Sequence, residues 1–265
     1  MKISYLFILV GLINCTSFAQ TKFRDNLKYK VTYNLTYSLD STALQETKSE
    51  YMILLTGDEF SVFSSRAKTL ANGYEITGNK GEISRQAITD FQYVIHKNAD
   101  LGKIYFTQDI VKDQFYYIQE MNQFDWKIHP ETKTIEDYKV QKATTTFAGR
   151  NYVSWFTTEI PIPEGPYKFN GLPGLILEIA DTENHYVFKF VGLEKLTPKL
   201  PFSIDFKDFF QIEKGKLEEI WYTYRKDPSS YTNNPKISMS PENHRKLVRF
   251  FTEKLKRENN SLELQ

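Results

Sequence analysis

The fold of this chain is decided by residues 159–176, which read Glu159-Ile160-Pro161-Ile162-Pro163-Glu164-Gly165-Pro166-Tyr167-Lys168-Phe169-Asn170-Gly171-Leu172-Pro173-Gly174-Leu175-Ile176. The segment holds four prolines and three glycines between two strand-like runs. Proline has no backbone N–H and a fixed φ, so Pro161, Pro163 and Pro166 cannot serve the interior of a sheet ladder. Each also holds the preceding residue in an extended conformation. We therefore expect a stiff, extended connector that fixes how two strands meet.

The end of this segment, Leu172-Pro173-Gly174-Leu175, predicts a type II turn with proline at the second position and glycine at the third. Only glycine adopts the positive φ of the third position without steric cost. The role of the segment is therefore predicted to be architectural. The residues to which we assign this structural role are Pro161, Pro163, Gly165, Pro166, Gly171, Leu172, Pro173, Gly174, Leu175 and Ile176.

Strand patterns dominate the chain as far as residue 193. Every second position from 27 to 37 carries Leu, Tyr or Val, with polar or charged residues between them, which is the pattern of a strand with one buried face. Because such strands are frequent and no long helix separates them, we predict a mainly β (α+β) fold. It should be a large curved antiparallel sheet or an open half-barrel with an apolar concave side. Further strand candidates are 51–55, 60–64, 91–96, 103–107, 115–120, 124–128 (ended by Pro130), 139–147, 153–158, 175–180 and 186–193.

Two helical patterns follow the strands. Residues 212–224 have a helical period, and Ser240-Pro241-Glu242 supplies the N-cap, the first-position proline and the first-turn acid of a C-terminal helix. Residues 259–265 are expected to fray. An apolar stripe should pack the C-terminal helix on the sheet, and it consists of Leu247, Val248, Phe251 and Leu255.

The first residues predict a cleaved signal peptide over 1–19. Lys2 precedes an apolar run, 6–13, which is too short to span a bilayer as a helix. Ser17-Phe18-Ala19 places small residues where cleavage before residue 20 needs them. Lipidation at Cys15 is disfavoured, because the residue before it is not small. We therefore predict an exported protein that is periplasmic, associated with the outer membrane or secreted.

Composition limits the classes of protein further. Cys15 is the only cysteine, so a chain cleaved before residue 20 has no disulfide and no nucleophilic thiol. Cleavage also removes one of the 34 basic residues and leaves as many as the 33 acidic ones, which does not favour a nucleic-acid partner. No second apolar stretch of spanning length follows. Residues 20–265 are enough for a single β-rich domain.

The sequence gives no catalytic, metal or cofactor motif. The histidines are 96, 129, 185 and 244, and none of them lies at a metal-ligand spacing from another. Neither a Gly-x-Ser-x-Gly motif nor a phosphate-binding glycine-rich loop occurs. We predict no metal, no cofactor and no enzymatic activity, although a pair of carboxylates would leave no local signature.

The hexamer at 171–176 reads GLPGLI, and the chain resembles the GLPGLI family of exported bacterial proteins, which is named for it. Family members often carry a cysteine shortly before the pair Lys142-Ala143, where this chain has Val140-Gln141, so no redox or disulfide role is implied there. The family has no established reaction, so the resemblance implies export and fold and no activity. It covers roughly residues 25–230, through the matching stretches 126–128, 142–144, 149–152, 155–157, 160–162 and 165–166.

Four residues are candidates for ligand binding. Arg150 and Glu159 would orient a ligand carboxylate or form a charged gate; the alternative is an ion pair that fixes the proline-rich connector. Trp126 and Trp155 would form an aromatic platform if exposed on a concave face; the alternative is that they belong to the core.

Three functions remain open. The first is a binding or carrier protein for an apolar or amphipathic ligand, or for an outer-membrane partner, which a deep apolar groove would favour. The second is an envelope hydrolase that uses carboxylates from distant strands, which two acids in a cleft would favour. The third is a structural envelope component, which a fully packed interior would favour.

Overall fold

The computed structural model describes residues 22–73, 88–231 and 239–264, so the predicted signal peptide lies outside the described residues. The helices are α1 (Arg66–Ala71), α2 (Lys214–Lys226) and α3 (Pro241–Arg257). The strands are β1 (Lys22–Tyr37), β2 (Lys48–Thr56), β3 (Phe60–Ser65), β4 (Tyr93–Asn98), β5 (Lys103–Ile110), β6 (Asp113–Glu120), β7 (Lys127–Ile135), β8 (Tyr138–Phe147), β9 (Arg150–Thr157), β10 (Leu175–Asp181), β11 (Tyr186–Asp205) and β12 (Phe210–Gln211).

These strands form one open, curved sheet in the order β12-β6-β5-β4-β3-β2-β1-β11-β10-β9-β8-β7. The predicted mainly β fold with a large curved sheet is confirmed. The sheet is mixed because β12 runs parallel to β6, whereas the other neighbouring strands pair antiparallel.

Both faces of the central strands are buried. In β2, Met52 and Leu54 belong to one hydrophobic cluster and Ile53 and Leu55 to another, so the two clusters lie on opposite faces of the sheet. We call the first the large core; its members include Tyr33, Leu54, Phe63, Ile95, Phe106, Tyr117, Tyr152, Phe169 and Phe188. We call the second the aromatic cluster; its rings are Phe23, Phe60, Tyr105, Tyr116, Phe202 and Phe206.

The prediction that Pro130 ends a strand is wrong. The strand β7 continues through Pro130, and its pairing with β8 shifts register between Ile128 and Thr132. Because β7 is the outermost of the described strands, no strand of the described ranges lies on its outward side to need the missing proline N–H.

The 159–176 segment connects two adjacent strands, β9 and β10, and folds over the large core. Phe169 and Leu172 are buried there. The Tyr33 hydroxyl in β1 donates to the Ile176 carbonyl at 2.8 Å. The Lys97 ammonium in β4, which is fully buried, forms an ion pair with Glu164 and donates to the Gly165 carbonyl at 3.1 Å. The segment is thereby fixed to β1 and β4, which lie beyond β11 from β9 and β10 in the strand order.

Prolines shape the segment through three-residue turns. Ile162 N donates to Ile160 O and Glu164 N to Ile162 O, each at 2.7 Å, so Pro161 and Pro163 are the central residues of two successive turns.

The predicted type II turn at Leu172–Leu175 is not formed. Gly174 N donates to Leu172 O at 2.8 Å, whereas Leu175 N donates to Ile160 O at 3.0 Å. Gly174 does have a positive φ, 152°. A side chain there would also collide with the backbone, because an added Cβ would lie 1.9 Å from the Thr157 carbonyl oxygen.

The C-terminal helix α3 begins as predicted, with the Ser240 hydroxyl accepting from Asn243 N at 3.2 Å. Its main contact is with α2 rather than with a strand, and its apolar stripe is half-buried. None of the helices in the described ranges is long and apolar enough to cross a membrane.

Candidate functional site

A cavity of about 640 Å³ lies over the large core. Strands β4, β5, β6 and β11 line one side, α2 lines another, and residues 258–264, which follow α3, line a third. We call these last residues the 258–264 segment. The aromatic lining comes mainly from Tyr93, Phe106, Tyr117, Tyr167, Tyr186 and Trp221.

Contacts among these rings hold the wall in place. Phe106 stacks on Tyr117, with ring centroids 4.8 Å apart, and packs against Tyr93 at 5.0 Å. Tyr93 also contacts Tyr167 edge-on at 5.6 Å. The Tyr93 hydroxyl is buried and has no hydrogen-bond partner among the described residues. Because buried polar groups are normally bonded, this hydroxyl is an exception within the aromatic wall.

One end of the cavity is formed by the Glu263 carboxylate. Its Oε1 accepts from the Tyr167 hydroxyl at 2.5 Å and from the Lys168 ammonium, and its Oε2 pairs with Lys214 at 2.8 Å. Burial acts to raise the pKa of Glu263, but the lysines and the tyrosine outweigh burial and hold the pKa below its ordinary value. Glu263 therefore stays ionised at neutral pH.

Lys168 comes from the 159–176 segment and is completely buried. Its ammonium donates to the Tyr117 hydroxyl at 3.0 Å and lies 5.2 to 5.3 Å from the ring centroids of Phe106, Tyr117 and Tyr167. Burial lowers the pKa of Lys168, and the attraction of Glu263 opposes that shift.

Arg150 attaches the 258–264 segment to the sheet. Its guanidinium donates to the Ser261 carbonyl at 2.7 Å and to the Asn260 side-chain oxygen at 2.6 Å. It also pairs with Asp181 at 3.2 Å, and both of these charged side chains are buried. Arg150 thus joins a buried carboxylate of β10 to the segment that borders the cavity.

Two tyrosines bind the backbone of the same segment. The Tyr186 hydroxyl donates to the Asn260 carbonyl at 2.5 Å, and the Tyr152 hydroxyl donates to the Leu262 carbonyl at 3.2 Å. Asn260 and Leu262 are accordingly only 4% and 7% exposed. The prediction that residues 259–265 fray is therefore wrong for the interior of this segment.

The four predicted ligand-binding residues are not brought together. The expected ion pair between Arg150 and Glu159 is wrong: Arg150 pairs with Asp181, while Glu159 is exposed and accepts from Lys139 N at 2.9 Å. The sequence identified Arg150 but not its partner, because Asp181 lies on the strand after the connector.

The two predicted tryptophans have different surroundings. Trp126 is half-buried, donates to the Asn170 carbonyl at 2.8 Å and packs against Phe169 of the large core. Trp155 in β9 is half-buried and also packs against residues of the large core, and the Lys133 ammonium lies 4.4 Å from its ring centroid. They do not form a joint aromatic platform.

The residues that form the cavity were missed by sequence reasoning. Lys168 sits between Tyr167 and Phe169, and Glu263 sits between Leu262 and Leu264. A charged residue flanked by apolar ones is the signal that could have indicated a buried ion at each position.

Two comparisons with known proteins gave matches, one to a family model and the other to solved structures. A family model described as "Protein of unknown function (Porph_ging)" matches residues 148–178, which contain β9, the 159–176 segment and most of β10. This family model names no activity, and the wider resemblance to the GLPGLI family stays a prediction.

Solved structures of PNGF-II are similar in fold. The P21 crystal form superposes with a TM-score of 0.54 at 13% identity, over 75% of this chain and 34% of PNGF-II. The C2 form gives 0.53 at 14%, over 75% of this chain and 33% of PNGF-II. This chain thus spans about a third of the length of PNGF-II, and at such identity the likeness shows the fold alone. Among curated proteins, no sequence matches the chain.

Proposed function

We propose that this is an exported, non-catalytic binding protein whose cavity takes an apolar or amphipathic ligand of the cell envelope. The observation that carries the proposal is the aromatic cavity of about 640 Å³. This volume is within the range of small-molecule sites, and an apolar lining with few polar groups is typical of them. A purely structural component would instead be expected to have a fully packed interior.

The carboxylates around the cavity do not favour the hydrolase alternative. A catalytic acid needs a raised pKa, so that it still carries a proton near neutral pH. For Asp90, burial acts to raise the pKa, but hydrogen bonds from Lys48 and Tyr37 hold it below the ordinary value. Glu263 is held ionised in the same way, and Glu258 is paired with Arg225.

The test is binding of the neutral fluorescent probe N-phenyl-1-naphthylamine to the protein purified from the periplasm. We expect Trp221→Ala to weaken probe binding by about tenfold, because the indole ring lines the cavity. Trp155→Ala is the matched control: it removes the same ring from β9, outside the cavity lining, and should leave the affinity unchanged.

Equal losses in both tryptophan variants, or no probe binding by the folded wild type, would contradict the proposal. Tyr222→Ala provides a second variant in case Trp221→Ala unfolds, because Tyr222 lines the cavity but is 54% exposed. Recovery of the protein from the periplasmic fraction, with mass spectrometry of copurifying molecules, tests export and ligand together.

A further inference from the structure

The surroundings of Glu263 have the composition of an anion-binding site. Two ammonium groups, from Lys168 and Lys214, and the Tyr167 hydroxyl all point at one carboxylate. Lys214 also lies 3.8 Å from Glu218, which is largely exposed. Lys168 is completely buried, so it depends on an anion inside the protein.

The anion that now fills the site is carried by a short segment rather than by the sheet. Glu263 belongs to the 258–264 segment, whose backbone is bound by the side chains of Arg150, Tyr152 and Tyr186. Lys168 and Tyr167 belong to the 159–176 segment, which is fixed to the sheet. Withdrawal of Glu263 would leave the Lys168 ammonium unpaired at the end of the aromatic cavity, and a carboxylate from another molecule would relieve that cost.

We propose that Lys168, Lys214 and Tyr167 form an anion site at the end of the cavity, which Glu263 fills when the cavity is empty. The ligand is then an anionic amphiphile: its carboxylate replaces that of Glu263, and its apolar chain lies against the aromatic wall. This inference rests on the proposed binding function and specifies the class of its ligand.

The experiment compares dodecanoate with dodecanol, which share a chain and differ in charge, by calorimetric titration of the full chain. Wild type should prefer dodecanoate. Glu263→Gln keeps the shape of the side chain but removes its charge, and should increase the preference by about tenfold or more. Asp90→Asn is the control, because it removes one negative charge from the cavity lining and leaves the anion site intact. It should change the preference by less than about threefold.

A second variant keeps the test decisive if Glu263→Gln does not fold. Lys214→Met alters a side chain that is 25% exposed on α2 and should reduce the preference for dodecanoate. Displacement of Glu263 is measured separately, by hydrogen exchange at the neighbouring Leu264. The amide of Leu264 donates to Ala148 O at 2.9 Å, and dodecanoate should speed its exchange while dodecanol should not.

The outcomes separate this inference from the function on which it rests. If dodecanol binds as tightly as dodecanoate in wild type, or if Asp90→Asn and Glu263→Gln change the preference equally, the anion site is refuted and the binding function stands. If neither ligand binds, both proposals fail.

Discussion

The two faces of the sheet are stabilised in different ways. The aromatic cluster is built from rings, with Phe206 in contact with Tyr105 at 4.8 Å and with Tyr116 at 4.7 Å. The face of the large core contains three charged pairs with little or no exposure: Lys97–Glu164, Arg150–Asp181 and Lys168–Glu263.

This difference supports the assignment of the proposed binding function to the face of the large core. Burying an ion pair costs desolvation free energy that the attraction between the charges often only balances, whereas packed rings stabilise without that cost. A face that retains three such pairs, one of which includes Glu263 of the cavity lining, is therefore not optimised for stability alone. The 159–176 segment supplies one member of two of the pairs, Glu164 and Lys168.

The largest effect is expected at the connector. Gly174→Ala should destabilise the protein by about 5 kcal/mol or more, because the new Cβ would meet the Thr157 carbonyl and the residue would keep a positive φ. The measurement is urea unfolding followed by tryptophan fluorescence, with yield of folded protein as a second readout.

Gly171→Ala is the matched control, three residues earlier in the 159–176 segment. Its φ is also positive, 88°, but no atom of the residues that the structure describes lies within 4 Å of the added Cβ, so the cost should be about 1 to 2 kcal/mol. Equal losses in the two variants would show that close packing against β9 does not determine the glycine at 174.

Next in size is the removal of one buried charge. Arg150→Met should lower the free energy of unfolding by about 4 kcal/mol, because Asp181 would stay buried without its partner. It should also release the 258–264 segment, which would be measured as faster hydrogen exchange at Leu264.

Lys246→Met is the comparison for a surface pair. Lys246 and Glu242 lie one turn apart on α3 and are 72% and 68% exposed, so the loss should be about 0.5 kcal/mol or less. A loss at Arg150 as small as this would mean that the buried pair contributes nothing beyond a surface one.

A truncation on the opposite face should affect stability without affecting the cavity. Phe206→Ala should cost about 3 kcal/mol, because the ring is 3% exposed and packs in the aromatic cluster. Probe binding should be unchanged. Phe210→Ala, which removes a ring that is 56% exposed, should cost less than about 1 kcal/mol. Weaker probe binding by a folded Phe206→Ala variant would show that the two faces are coupled.

The sheet could be predicted from the sequence because strand patterns are local. Alternation from residue 27 to residue 37 predicted β1, and its apolar positions at 31, 33, 35 and 37 are buried in the large core. Leu27 is buried in the aromatic cluster instead, because the pairing with β11 shifts register between Leu27 and Tyr29. The position of a strand within the sheet is not local, and this is why Pro130 was misinterpreted: only the topology shows that β7 is the outermost strand.

The cavity could not be predicted because its residues meet only through the fold. Lys168 and Glu263 are 95 residues apart, and Arg150 lies 111 residues from Ser261. The sequence identified Arg150 as a candidate, yet its partners follow from the order of β9 and β10 and from the return of the 258–264 segment across the sheet. Local patterns carry no information on such pairings.

The last prediction concerns pH and belongs to the aromatic cluster. His96 packs beside Phe202 and Phe206, and burial lowers its pKa from 6.5 to about 3. Between pH 6.5 and about 3 the unfolded chain binds a proton at His96 that the folded chain does not. The free energy of unfolding therefore has its full value above pH 6.5 and falls as the pH decreases toward 3. At pH 5 the loss should be about 2 kcal/mol.

The two faces should therefore respond to acid in different ranges. The pKa of Glu263 is lowered, so its contribution to stability is present above its unfolded value of 4.5 and is lost only below it. Urea unfolding of wild type and His96→Leu between pH 8 and pH 4 separates the two. The variant should lose the slope between pH 6.5 and 4.5 whatever its stability at pH 8, and a slope equal to that of wild type would show that His96 is already charged in the folded protein.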